Sequence, residues 1–121
     1  MKFTHIAQAT GLALFALAGA AQAQVSDGVV KIGVLTDLSG LYSDVAGPGT
    51  VVATKMAIDD FIAAEKPTFK IEMVSADHQN KGDIAANKAR EWSEKDKVDV
   101  ASELVTTSVE LAVQKIAKEN N

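Results

Sequence analysis

The sequence predicts an α/β fold with a parallel sheet, its elements running βαβαβα. Three observations carry that prediction. Strand-like runs begin at Val29, Phe69 and Val98, and turn-rich or polar stretches follow them. Each stretch leads into a segment with apolar residues three and four apart, the spacing of a helix with one apolar side. Strands that alternate with helices pair in parallel, with right-handed crossovers, so few topologies remain.

Val29-Val30-Lys31-Ile32-Gly33-Val34-Leu35 is a β-branched run that ends in Thr36-Asp37-Leu38-Ser39-Gly40, which reads as strand one and its loop. Gly47-Pro48-Gly49 then punctuates the chain, and Pro48 suits the first turn of a helix, where a backbone donor is not needed. From Thr50 to Ala64, the residues Ala53, Met56, Ala57, Phe61 and Ala64 predict a helix with one buried stripe, and Pro67 ends it. Phe69-Lys70-Ile71-Glu72-Met73 alternates apolar with charged residues, so strand two has one wet face and suits a sheet edge. Ser75 to Gly82 reads as a polar loop. Asp83 opens a second helix that runs to Lys95, with Ile84, Ala85, Ala89 and Trp92 as its apolar contacts. Trp92 belongs to the core rather than to a binding surface. Val98 to Val105 is strand three, and Ser102 and Glu103 make it polar for a buried position. A last helix follows Thr106-Thr107-Ser108, with Val109, Ala112, Val113, Ile116 and Ala117 on one face.

If strand one lies between two and three, the winding reverses between one and three. A crevice then opens there, lined by the loops after those strands. The clear alternation of strand two favours this order over three-two-one. Ending the chain at Glu119-Asn120-Asn121, where a helix would hand over to a fourth strand, suggests an incomplete lobe.

Residues 1–23 do not belong to the fold. Lys2 is followed by an uncharged apolar stretch from Ile6 to Ala21 and then by Ala21-Gln22-Ala23, the small-x-small pattern of a signal-peptidase site. The apolar core is short for a span, which needs about 20 apolar residues. Residues 1–23 therefore read as a cleaved signal peptide, and residues 24–121 as an incomplete N-terminal α/β lobe. The chain has no cysteine, which excludes a lipidated cysteine at the cleavage site. Cleavage at residue 23 leaves 98 of the 121 residues, with 11 basic against 16 acidic side chains. That balance argues against nucleic acid and anionic membranes as partners.

No phosphate-binding glycine motif and no nucleophile elbow are present. His78 is the one histidine beyond the leader, and Asp77-His78 gives two adjacent ligands where a metal needs three or four converging ones. Neither an enzyme nor a cofactor is expected. Thr107-Ser108-Val109-Glu110 fits a capping box, in which threonine and glutamate satisfy amides at a helix start. The remaining hydroxyls and amides around Thr106, Thr107 and Ser108 also suit a ligand carboxylate. Tyr42, the single tyrosine, either packs over a ligand or staples the start of the first helix. Asp77-His78 reads as a hydrated loop pair or as a border of the site.

Several stretches together resemble one family: Lys31 to Gly40, the Pro48 helix with Lys55-Met56-Ala57-Ile58, Ser75 to Lys81, and Val105 to Ala117. They are similar to the branched-chain amino acid (Leu/Ile/Val) type of periplasmic substrate-binding protein of ABC importers, and to a branch that often binds aromatic or other organic carboxylates. The resemblance implies a type I periplasmic binding protein fold, with two lobes that trap ligand between them. This chain would supply the first three βα units of one doubly wound parallel-sheet lobe. It implies ligand contacts at Thr106, Thr107 and Ser108, an aromatic neighbour at Tyr42, and a bordering His78. A monomer in the periplasm, a small-molecule ligand and an ABC permease as partner follow from the same resemblance. An extracellular sensor domain of this fold is the alternative, and a secreted α/β enzyme a more distant one.

Overall fold

A computed structural model describes residues 25 and 27–120. The leader assigned to residues 1–23 lies outside the described residues. Three parallel strands form the sheet, in the order β2-β1-β3. They are β1 (Val29–Thr36), β2 (Lys70–Asp77) and β3 (Val100–Ser102). The helices are α1 (Ser43–Ala46), α2 (Pro48–Glu65), α3 (Gly82–Glu91), which continues into a π-helical turn over Trp92–Asp96, and α4 (Thr107–Glu119). The alternating strand two is at the edge, as its wet face requires, and β1 is central.

β1 and β2 pair in unbroken register from Val29↔Lys70 to Thr36↔Asp77. The ladder carries β2 through Ser75 and Asp77, which the sequence reading places in a loop, because the central strand offers partners that far. β3 shows the opposite correction. It pairs only from Ile32↔Val100 to Val34↔Ser102, well short of the eight residues expected. Glu103 (φ 68°) and Val105 (φ 55°) turn into the left-handed region and lead the chain out of the sheet.

The sheet's register sorts side chains onto two faces. Leu35, Val74, Ala76 and Ala101 face α3 and α4, where Ala85, Trp92, Val109 and Val113 complete the core. Trp92 is buried as predicted, and Gly33 lets its ring lie on the strand. A Cβ at Gly33 would meet Trp92 Cε3 at 2.7 Å. Val30, Ile32 and Ile71 face α2 instead, across an open apolar groove of about 390 Å³ that Ala57, Ile58 and Phe61 also line. No α2 residue is buried, so the expected buried stripe is corrected. Val52, Met56, Phe61 and Ile62 are scattered around the helix, and the alanines between them offer little area to bury.

α2 starts with Pro48 at its first turn, as the sequence predicts, and ends at left-handed Lys66, whose N–H donates to the Ile62 carbonyl. Among the described residues, no helix is long and apolar enough to cross a membrane. With α2 on one face and α3 and α4 on the other, the winding reverses beside β1. The loops after β1 and β3 diverge at that point, at the carboxyl end of the sheet.

Candidate ligand-binding site

All three strands run parallel, so the loops after them share one end of the sheet. Two aspartates fix the first loop. Asp37 is fully buried, and its carboxylate accepts hydrogen bonds from the N–H groups of Gly40 (2.6 Å) and Tyr42 (2.9 Å). That side chain curls the loop back on itself as an Asx turn. It also leaves no room at Gly40, where a Cβ would lie 2.6 Å from an Asp37 oxygen. Asp77, at the end of β2, reaches across to the same loop. It accepts from Leu38 N–H (3.0 Å), the Ser39 hydroxyl (2.5 Å) and Gln79 N–H (2.8 Å). Burial pushes the Asp77 carboxyl upward, but these hydrogen bonds and the neighbouring His78 outweigh it and hold the group below its ordinary value.

The second loop bends through Gln79 (φ 52°) and Asn80 (φ 54°), both left-handed. His78 is the pivot of that bend. The Asp77-His78 pair is not a hydrated loop tip: His78 is 0% exposed, and its N–H donates to the Thr36 carbonyl at 2.9 Å. Its Nδ1 accepts from Asn80 N–H at 2.9 Å, which places the ring proton on Nε2. Nε2 is buried without a hydrogen-bond partner among the described residues. Burial lowers the His78 pKa, against the opposing charges of Asp37 and Asp77. His78 is sealed beneath the loops and braces Asn80 from below.

Asn80 joins the second loop to the third. Its Oδ1 accepts from the Thr106 hydroxyl at 2.9 Å, and Thr106 Oγ1 lies 3.4 Å from Ser108 Oγ. Thr106, not Thr107, is the residue that caps α4, and no side-chain capping bond is made. The expected capping box is therefore corrected. Helix begins one residue early, which puts Val109 rather than Glu110 at the position that would close the box, and Asn80 takes the Thr106 proton. The amides of the first turn of α4 stay free of side-chain caps, beside the exposed hydroxyls of Thr107 and Ser108.

Tyr42 immediately precedes α1, half-buried, and its carbonyl accepts from Val45 and Ala46 N–H. The structure thus links His78, Asn80, Thr106 and Ser108 through successive hydrogen-bond contacts, with Thr107 beside them in sequence and Tyr42 on the first loop. No hydrogen bond joins Tyr42 to Thr106 among the described residues. The sequence does not single out Asp37 or Asn80, although Asp37 three residues before Gly40 carries a turn signal, and it reads Asp77 only as one of a loop pair with His78. No cluster of histidine, aspartate or glutamate among the described residues could hold a metal ion.

The profile of one family, described as periplasmic binding protein, matches residues 29–121. The chain belongs to the periplasmic binding protein family. Among solved structures, a periplasmic binding protein from Burkholderia mallei is 43% identical, with a TM-score of 0.68 over 77% of this chain and 24% of that one. A branched-chain amino acid ABC transporter periplasmic ligand-binding protein from Burkholderia xenovorans is 41% identical, with a TM-score of 0.66 over 74% of this chain and 24% of that one. A leucine-binding protein from Thermotoga maritima is 31% identical, with a TM-score of 0.62 over 75% of this chain and 25% of that one. Among curated proteins none matches. The chain spans about a quarter of the length of these structural relatives. As a periplasmic binding protein it has the α/β parallel-sheet architecture that its element order predicts.

Proposed function

We propose that this chain supplies the first βα units of the N-terminal lobe of an ABC importer's substrate-binding protein. That protein captures an amino acid or a small organic carboxylate, aromatic ones included, between two lobes and delivers it to an inner-membrane permease. It works as a monomer in the periplasm after cleavage of residues 1–23, and it carries out no catalysis. Tyr42, Thr106, Thr107 and Ser108 meet the ligand, and His78 holds the loop that positions them.

One observation supports this reading above the others. At the reversal of winding, Asp77 ties the second loop to the first, and Asn80 ties it to the third, leaving hydroxyls and helix-start amides together at one rim. Free amides at a helix start favour a carboxylate, because unpaired N–H groups and the helix dipole act in the same sense. Each charge-assisted hydrogen bond there contributes roughly 1.5–3 kcal/mol. Family membership and the branched-chain amino acid relative support a transport role.

Calorimetric titration of the complete gene product against amino acids and aromatic acids tests the reading. At least one ligand should bind, and Ser108→Ala should weaken it by about tenfold or more while leaving the melting temperature close to wild type. Turnover of a ligand, or full affinity in the Ser108→Ala and Thr107→Ala variants, would count against it.

A further inference from the structure

His78 is fully buried, yet its Nε2 has no hydrogen-bond partner among the described residues. A sealed ring with an orphan donor is costlier to keep than an apolar side chain of its size, so packing alone does not account for a histidine here. What the ring contributes is a lone pair. Nδ1 accepts from Asn80 N–H at 2.9 Å and pins the left-handed bend at Gln79 and Asn80. Two carboxylates act on the same ring, Asp37 more strongly than Asp77, and both anchor the first loop. Asp37 accepts from Gly40 and Tyr42 N–H; Asp77 accepts from Leu38 N–H, the Ser39 hydroxyl and Gln79 N–H. Among the other charged side chains at this end, Lys81 extends its ammonium to Gln79 Oε1 at 3.4 Å, and Asp83 and Glu110 sit in the first turns of α3 and α4.

Uptake of a proton reverses the ring's role, because an imidazolium has two donors and no acceptor. Nδ1–H then faces Asn80 N–H, donor against donor, and the bend at Gln79 and Asn80 loses its pin. The positive ring also competes for Asp37 and Asp77 with the amides that those carboxylates hold. We propose that His78 is a proton-operated latch: once protonated it lets go of Asn80 and loosens the first loop in the same step, while the core under α3 and α4 stays packed. The latch is a property of the loops and does not depend on the ligand-capture reading above. Where the rim holds a ligand, as that reading has it, proton and ligand oppose each other.

An NMR titration of the complete gene product from pH 8 to pH 4, with no ligand added, tests the latch. Burial depresses the His78 pKa, so the ring should titrate below its ordinary value of 6.5. The amide signals of Leu38, Gly40, Tyr42 and Asn80 should move on that same curve. Hydrogen-exchange protection at Asn80 should drop by about tenfold or more across it, the loss expected for one hydrogen bond. The Trp92 indole should stay still. His78→Asn puts an amide oxygen near the place of Nδ1, able to accept from Asn80 and unable to titrate, and should abolish the transition in all four amides; its persistence there would overturn the inference. Wild-type curves decide the matter if that variant fails to fold. Movement confined to Asn80, with Leu38, Gly40 and Tyr42 unmoved, would overturn it, since the ring would then govern one loop only. So would loop signals that respond only in the carboxylate range, about pH 4, or a Trp92 indole that shifts with them and so marks global unfolding.

Discussion

The two faces of the sheet are covered by helices of different apolar patterning, one-sided in α3 and α4 and spread around the axis in α2, and they pack differently. Under α3 and α4, Leu35, Val109 and Ala85 are fully buried, and Trp92 lies against the bare backbone of Gly33. Under α2, whose larger apolar residues point in several directions, every residue of the helix is at least partly exposed, with Met56 at 61% and Phe61 at 43%. The difference comes from what each helix meets. α3 and α4 pack on each other as well as on the sheet, so each buries one face in a shared core. α2 meets the sheet and only the short α1 beside it, and small alanines separate its larger side chains. Apolar spacing states that a helix has a side to bury; burial depends on a second surface to close over it.

The largest expected effect tests that contrast. Trp92→Ala in this chain should lower unfolding free energy by roughly 3–5 kcal/mol, the range for deleting a buried aromatic side chain. Phe61→Ala should cost clearly less, because much of the ring is already in contact with solvent. Urea unfolding of both variants measures the gap, and equal losses would break the distinction between the faces. Gly33→Ala gives an independent reading of the tighter face. The added methyl has to displace the Trp92 ring, an overpacking change of about 1–3 kcal/mol.

Much of this was legible in the sequence, and the misses have physical causes. Element order and the edge position of β2 followed from alternation at Phe69 to Met73. Pro48 and Trp92 were placed correctly from steric and burial arguments that need no tertiary information. The ends of β2 and β3 were not legible, since a strand's length is set by its partner: β1 carries β2 to Asp77, and two left-handed residues release β3 after Ser102. At the candidate site, the run of hydroxyls before α4 is visible in the sequence, whereas the hydrogen bond from Thr106 to Asn80 joins residues 26 positions apart. His78 read as solvated because its neighbours in sequence are polar. Its neighbours in space are the loops it supports.

Acid should separate the loop end of the sheet from the apolar core. Burial depresses the His78 pKa in the folded chain, despite Asp37 and Asp77. Folding therefore favours the neutral ring, so its contribution is complete above about pH 6.5 and is lost as pH falls from there through the folded value. Protonation also removes the Nδ1 acceptor from Asn80. Asp77 is lowered as well, so its contribution persists above its ordinary value and fades only in stronger acid, as pH falls through the folded value. Unfolding midpoints measured from pH 8 to pH 3 should show two successive losses. His78→Gln should remove the one nearer neutrality; a midpoint indifferent to pH between 7 and 5 in wild type would contradict the buried neutral ring.

The smallest effect belongs to the open face, and its size is informative for that reason. Lys55 and Asp59 lie one turn apart on α2, with Nζ 2.9 Å from the carboxylate and both side chains more than half exposed. Water screens such a pair, and holding two long side chains together costs entropy, so a double-mutant cycle should find a coupling of about 0.3–0.5 kcal/mol that shrinks with added salt. On α3, Lys88 and Glu91 approach to 2.7 Å with Lys88 more sheltered, at 31% exposure. The Lys88 hydrogen bond, and then its charge, draws the Glu91 carboxyl below its ordinary value. The α3 pair should consequently keep more of its coupling in salt than the α2 pair does. Equal salt sensitivity would mean that the packed core beneath α3 shields nothing at its rim, and the contrast between the faces would then be one of apolar packing alone.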